Sequence, residues 1–259
     1  MENVFTKEME PGARDFVGQY HQSFVDRWDE LINWDGRASA ESGFFQSYLT
    51  KQGVRSVLDV ACGTGYHAID LSRAGFDVTA SDGSETMVER TLRNAADRGQ
   101  LVQAKVADWR SLTSHIDGVF DAVVCLGSSF CHLRSESDRR SALVQFRRVL
   151  KPGGILLIDQ RNFDAILAGK YRTAASVAYC GDAIQVHFEN AHEENVDFVY
   201  TFGDGAQFRL SVHPIRATAL RHAIEEAGLE YMSSYGDFKE QYDPLNCGFV
   251  LHVCRNPAI

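Results

Sequence analysis

The stretch "VLDVACGTGYHA", residues 57–68, decides the fold. An apolar run ends in an acid, Asp59, and a turn containing Gly63 and Gly65 leads into "YHAIDLSRAG", which has helical periodicity and a stop at Gly75. Strand, glycine turn and helix in this order make the first unit of a βαβ layer. Glycine at such a turn lets the backbone approach a ligand closely. In a doubly wound sheet that turn lies beyond the C-terminal end of a strand, where ligands bind.

The same alternation continues outward from this stretch. "FDVTASD" and "LVQAKVAD" read as strands around the helix "SETMVERTLRNAADRG", with Ser84 as N-cap and Gly99 as C-cap. "FDAVVCLG" is a fourth strand. "SESDRRSALVQFRRVLKPGG" is a helix with a Pro-Gly stop, and "ILLIDQR" is a fifth strand. Strands alternating with helices predict a parallel sheet covered on both faces. Residues 14–50 read as helical, from apolar positions 24, 25, 28, 31 and 32. After the fifth strand the pattern changes. "VDFVYTF" and "AQFRLSV" flank Gly203-Asp204-Gly205 and predict an antiparallel hairpin. The helix "ATALRHAIEEAGL" and the strand "GFVLHVCR" close the chain. The expected division is a lid segment 1–50, a core 51–164, an antiparallel insertion 165–215 and a closing unit 216–259.

Bulk properties bound the function. The chain has 259 residues, 44% hydrophobic and 24% charged, which suits one large domain or one domain with an insertion. A formal net charge of −9 with no run of Lys or Arg argues against nucleic acid. The start "MENVFTKEMEPGARDF" has charges where a signal peptide needs an apolar core, and the apolar run "GILLI" is too short to cross a membrane. Six cysteines without a C-x-x-C pair predict reduced, buried thiols and a cytoplasmic location. Nine histidines without H-x-x-x-H spacing, and an isolated Cys131-His132 pair, predict no metal site.

Three acids narrow the ligand. Asp82 ends the second strand, where it can accept ribose hydroxyls or cap the next helix. Asp108 follows the third in "VADW", where it can meet an adenine amino group or serve structure alone. Asp59 beside the glycine turn repels a pyrophosphate and attracts a cation. Gly63-x-Gly65-x-x-Ala68 also fits a dinucleotide fingerprint, so an NAD(P)-dependent oxidoreductase is the alternative, with Asp59 against it. An adenosine at one end and cationic groups at the other describe S-adenosylmethionine.

"VLDVACGTG", "SDGSETM", "VADW" and "LKPGGILLID" resemble the class I S-adenosylmethionine-dependent methyltransferases. "FDAVVCLGSSFCHL", "DQRNFDAIL", "FRLSVHPIR" and "YGDFKEQY" resemble the glycine N-methyltransferases, most of all the bacterial glycine/sarcosine branch, over residues from about 20 to 253. The resemblance implies an α/β fold, a doubly wound Rossmann-like sheet with an N-terminal helical lid and an antiparallel β insertion. It implies S-adenosylmethionine as cofactor. It also implies methyl transfer to the amine of a small amino acid such as glycine or sarcosine, or to a different amine. A catalytically silent S-adenosylmethionine-binding regulator is a further alternative.

Site residues carry over by position. Tyr20, Trp28, Trp34 and Arg37 resemble the family's lid, with Arg37 on the methionine carboxylate; Trp28 and Trp34 read equally as core aromatics of a helix. Asp59 and the stretch Ala61, Gly63, Gly65 hold the amino acid part. Asp82 takes the ribose, Met87 lies against adenine, Asp108 and Trp109 meet its edge, and the Leu126 carbonyl faces the ammonium. On the acceptor side, Arg161 takes a substrate carboxylate bidentately or else pairs with Asp159 or Asp164. Tyr200 and Tyr179 resemble the family's substrate tyrosines, and Arg161 with Tyr200 is the candidate catalytic pair. His132 reads as a supporting or core histidine rather than a base. The chain departs from the family at Ser128, where "LGSSF" replaces the usual "LGNSF"; a shorter side chain there makes room for an acceptor larger than glycine. Val212-His213 stand where some relatives carry tyrosines. The oligomeric state is left open between monomer and homo-oligomer.

Overall fold

A computed structural model describes residues 17–171, 180–181 and 183–258. Seven strands form one sheet in the order β3-β2-β1-β4-β5-β10-β9. The strands are β1 (Ser56–Asp59), β2 (Asp77–Asp82), β3 (Gln103–Val106), β4 (Phe120–Cys125), β5 (Leu150–Arg161), β9 (Glu230–Gly236) and β10 (Phe249–Arg255). β1 to β5 pair in parallel. The last strand departs from the expected all-parallel sheet, because β10 runs antiparallel to both β5 and β9.

Successive side chains on the central strands enter opposite cores, as the pleat requires. Leu58, Val123, Leu156 and Ile158 pack in one cluster with Phe146 of α7 (Glu136–Arg148) and Leu220 of α9 (Ala217–Glu226). Val57, Val124 and Leu157 point the other way, to Ile69 of α5 (Tyr66–Arg73), Ala95 of α6 (Glu85–Asp97) and Leu49 of α4 (Phe44–Lys51). Burial on both faces explains why these strands read as unbroken apolar runs.

The predicted helix stops hold. Ser84 Oγ accepts from Met87 N at 3.4 Å, and Gly99 takes φ +65°. The Pro-Gly stop after α7 has a second role. Leu150 to Gly154 already belong to β5, and the register shifts between Phe120/Leu150 and Ala122/Ile155. A Cβ on Gly154 would lie 2.9 Å from the Lys151 carbonyl, so this bulged entry needs glycine.

The segment expected as helical over 14–50 is broken. It forms α1 (Gln22–Val25), α2 (Trp28–Ile32), α3 (Trp34–Glu41) and α4. Asn33 breaks it at φ +45°, and its side chain accepts from Gly36 N at 3.2 Å, capping α3. Ser42 and Gly43 make the second break, both left-handed. The predicted hairpin is β7 (Asn195–Thr201) with β8 (Gln207–Val212); β6 (Gln185–His192) adds a third antiparallel strand. This small sheet packs through Phe198, Phe202 and Leu210 against Phe24 and Leu31 of α1 and α2. Among the described residues no helix is long and apolar enough to cross a membrane. The six cysteines are unpaired, and no group of three or more metal-ligating side chains occurs among the described residues.

Candidate functional site

The five parallel strands end on one side of the sheet. Beyond their ends lies a pocket lined by Tyr20, α2 and α3 on one flank and by β7 and β8 on another. Thirteen of the candidate site residues line it: Tyr20, Trp28, Arg37, Ala61, Gly63, Asp82, Met87, Asp108, Trp109, Leu126, Ser128, Arg161 and Tyr200; His132 and Val212 line it as well. Trp34, Asp59 and Gly65 are absent from its lining, and Tyr179 lies outside the described residues.

The turn after β1 is held from several sides. Gly63 N donates to Asp82 Oδ2 at 2.9 Å, and Thr91 Oγ1 donates to the Gly63 carbonyl at 2.8 Å. Asn94 Nδ2 donates to the Thr64 carbonyl at 2.8 Å. Gly65, at φ +98°, shapes the turn rather than lining the pocket; a Cβ there would meet Thr91 Cγ2 at 3.0 Å. The pocket wall instead carries Thr64. Its hydroxyl is buried without a hydrogen-bond partner, which makes it a ligand-contact candidate the sequence reading missed.

Asp82 sits at the end of β2, with Oδ1 accepting from Ser84 N at 2.9 Å. Burial pushes its pKa up to about 6 despite these backbone donors. Asp59 lies behind the pocket wall, 1% exposed. Its Oδ1 accepts from Ala61 N at 3.1 Å, Oδ2 has no partner, and burial raises its pKa to about 6. Asp108 lines the pocket, but its carboxylate is engaged by Arg110: Nη2 stands 2.5 Å from Oδ2 and Nε 2.9 Å from Oδ1. Trp109 donates its Nε1 to the Val60 carbonyl at 2.6 Å, which fixes its ring in the pocket wall against Phe130 and Phe146.

In the N-terminal segment, Tyr20 packs edge-on to Trp28 at 5.2 Å, and its hydroxyl lies 2.8 Å from His132 Nε2. Burial lowers the His132 pKa to about 4, so the ring is neutral. The indole Nε1 of Trp28 stands 3.6 Å from the Cβ position of Gly63. Trp34 instead packs behind the wall, edge-on to Tyr66 and under Arg98, with Nε1 donating to Asp29 at 3.1 Å. The break at Asn33 starts a new helix at Trp34.

A second flank of the pocket centres on Arg161. Its guanidinium lies 5.2 Å from the Phe198 ring centroid and 5.1 Å from that of Phe249, and Nη1 donates to Tyr171 Oη at 3.1 Å. Neither neighbouring acid pairs with it. Asp164 takes Arg216 at 2.9 Å, and Asp159 accepts from Ser128 N at 2.7 Å. Among the described residues no carboxylate forms an ion pair with Arg161, though it is 8% exposed and faces the pocket beside Tyr200. Ser128 adopts φ +59°, and its hydroxyl accepts from Arg161 N at 2.9 Å. The Leu126 carbonyl accepts from Ser129 Oγ at 2.9 Å and retains a second lone pair.

Comparison with known proteins agrees with this geometry. Residues 57–154 match a family model described as a methyltransferase domain. The fold superposes on an S-adenosylmethionine-dependent methyltransferase from Clostridium acetobutylicum with TM-score 0.73 at 17% identity, covering 91% of this chain and 98% of that one. The chain is 41% identical over 93% of its length to a glycine/sarcosine N-methyltransferase of Halorhodospira halochloris, covering 90% of that protein. It is 45% identical over 92% of its length to one of Parasynechococcus marenigrum, covering 84% of that protein. With a glycine turn, an acid after β2 and a buried arginine after β5 all opening on one pocket, and with relatives this similar over nearly the whole chain, the protein belongs to the glycine/sarcosine N-methyltransferase family of S-adenosylmethionine-dependent methyltransferases.

Proposed function

We propose that the protein transfers the methyl group of S-adenosylmethionine to the amine of a small amino acid, with glycine and sarcosine the first candidates. The observation that carries this reading is Arg161. Among the described residues this buried guanidinium has no carboxylate partner, which is costly, and a pocket-facing one is relieved by an anionic ligand. Its planar fork fits a carboxylate bidentately. The acceptor therefore carries a carboxylate.

The donor set suits S-adenosylmethionine. Met87, Trp109 and Leu126 offer apolar surface for an adenine, Asp82 offers carboxylate oxygens for a ribose, and Arg37 meets the methionine carboxylate. Asp59 supports the cationic end through space rather than by contact. Asp108 lines the pocket with both oxygens engaged by Arg110 N, Nε and Nη2, so a bond to an adenine amino group requires it to share them. Asp59, a buried acid beside the turn, disfavours a pyrophosphate, so a dinucleotide is the weaker reading.

The bound sulfonium supplies an activated methyl group. The protein's work is then alignment in a closed site. Arg161 holds the acceptor carboxylate, while Tyr200, neutral because burial raises its pKa, offers its oxygen to the acceptor nitrogen. Tyr20 and Trp28 cover the pocket from the lid. The amine must react in its neutral form, and no residue is assigned as its base. The four-part division into lid, core, insertion and closing unit belongs to this proposal, as does a cytoplasmic location, supported by six unpaired cysteines.

The test is a methylation assay over glycine, sarcosine, dimethylglycine, larger amino acids and amines lacking a carboxylate. Turnover confined to carboxylate-bearing acceptors supports the reading. Equal turnover of simple amines overturns it.

A further inference from the structure

Arg37 lies on α3, away from the strand ends that carry most of the pocket wall. A long side chain at such a place needs an anchor. Glu41 is one turn further along and shares its face. Its Oε1 accepts from Arg37 Nε at 2.9 Å and lies 3.0 Å from His67 Nε2; Tyr66 Oη donates to Oε2 at 3.4 Å. Both ends of the pair are 5% exposed. Tyr66 and His67 are the first two residues of α5, which the Gly63–Gly65 turn opens. The Tyr66 ring lies 5.1 Å from the Arg37 guanidinium carbon. Arg37 reaches across to the loop after β4, with Nη2 4.0 Å from the Cβ position of Gly127. Glu41 itself is absent from the pocket lining.

We propose that Glu41 is a positioning residue for cofactor binding: it fixes the Arg37 guanidinium over the amino acid end of the pocket and ties it, through Tyr66 and His67, to the glycine turn. The inference rests on the reading of Arg37 as the partner of the cofactor's carboxylate. Burial alone would raise the Glu41 pKa, but His67 and Arg37 outweigh it and hold the carboxyl below its ordinary value, so the anchor is anionic at neutral pH. The carboxylate uses the Nε edge of the guanidinium, which orients the Nη edge toward the loop after β4. Without Glu41 the arginine keeps its charge and loses its direction.

The test compares two probes by calorimetry on the full chain. S-adenosylhomocysteine carries the amino acid end; 5′-methylthioadenosine has the adenosine and thioether without it. In Glu41→Gln the affinity for S-adenosylhomocysteine falls about tenfold, the size of one misdirected charge-assisted hydrogen bond, and that for 5′-methylthioadenosine stays within about twofold. Equal losses on both probes mean a general structural role and overturn the proposal. Glu41→Asp keeps the buried charge and draws it back by one methylene. It gives the same split in smaller size, and a folded Glu41→Asp with the parental preference also overturns the proposal. Arg37→Met separates the two layers. If Arg37→Met leaves the preference for S-adenosylhomocysteine intact, the reading of Arg37 is wrong. If it abolishes that preference while both Glu41 variants keep it, the positioning inference alone is wrong.

Discussion

Replacing Arg161 by methionine removes the charge and keeps most of the apolar stem. The structure sets opposite signs for its effects on catalysis and on stability. The guanidinium has the Tyr171 hydroxyl, the Tyr200 and Cys180 side chains and two flanking rings, and no carboxylate among the described residues. Each hydrogen bond is worth about 1 kcal/mol and each ring contact about 0.5–2 kcal/mol. The desolvation of a buried ion costs several kcal/mol, so the two sides nearly cancel. Arg161→Met therefore melts no lower than the parent in the absence of ligand. A structural salt bridge would give the reverse, with a loss of about 3–5 kcal/mol. With acceptor bound, the arginine is one half of a buried ion pair, and removing it costs about 3–5 kcal/mol, roughly 100- to 5,000-fold in kcat/KM. Arg161→Lys keeps the charge but drops one charge-assisted bond of about 1.5–3 kcal/mol, roughly a 10- to 150-fold loss. The assay is steady-state methylation at saturating cofactor, with cofactor affinity measured separately and expected unchanged. A methionine variant with parental kcat/KM for glycine or sarcosine refutes the reasoning. A loss that falls equally on cofactor affinity refutes it too.

Asp82 gives a pH signature. Ribose hydroxyls donate to an ionised carboxylate and its pKa is about 6, so calorimetry at pH 5 shows S-adenosylhomocysteine bound about tenfold more weakly than at pH 7.5; Asp82→Asn flattens that slope, and a parental slope in the variant rejects the assignment. The ligand-free protein moves oppositely: folded Asp82 and Asp59 titrate above the ordinary 3.8, so their contribution to stability falls as pH rises from about 4 to 6, which melting curves across that window will show. Ser128→Asn places at φ +59° a residue that tolerates the left-handed region better than serine, and its amide oxygen can still accept from Arg161 N, so stability is kept or raised. The glycine-to-larger-acceptor ratio rises by about 1–3 kcal/mol in kcat/KM; an unchanged ratio removes the pocket-size argument.

The sheet was legible because both of its signals are local. Apolar runs at β1, β4 and β5 and a glycine turn after an acid need no tertiary context to read. The antiparallel direction of β10 had no such signal. "FVLHVCR" is apolar on both faces like any central strand, and its direction comes from β9, which enters the sheet edge first and returns the chain through residues 237–248. The N-terminal segment was legible only in part, for a different reason. Its apolar spacing at 24, 25, 28, 31 and 32 marks a helix, but nothing in it marks the left-handed backbone at Asn33 and Ser42 that breaks the segment into four. Thr64 was passed over because a threonine between two glycines reads as loop filler, and its unpartnered hydroxyl is visible only once burial is known.

The alternatives left open for single residues turn out not to exclude one another. Asp82 was either a ribose acid or a helix-capping acid. It accepts from Ser84 N and Gly63 N, with Gly83 N also favouring its charged form, and it still lines the pocket. A carboxylate has about four acceptor positions, so three backbone donors leave room for a ribose hydroxyl. The same double use recurs around the pocket. Trp109 is tied to the end of β1, Leu126 to Ser129, and Ser128 to both Asp159 and the backbone of Arg161. Because these bonds are made within the protein itself, they hold the site's residues in place through folding. A substitution at any of these positions therefore acts twice, on the ligand contact and on its neighbour's geometry. Double-mutant cycles between Asp82 and its partners will be non-additive, whereas Arg161 and Asp82, on separate strands without a shared partner, will add.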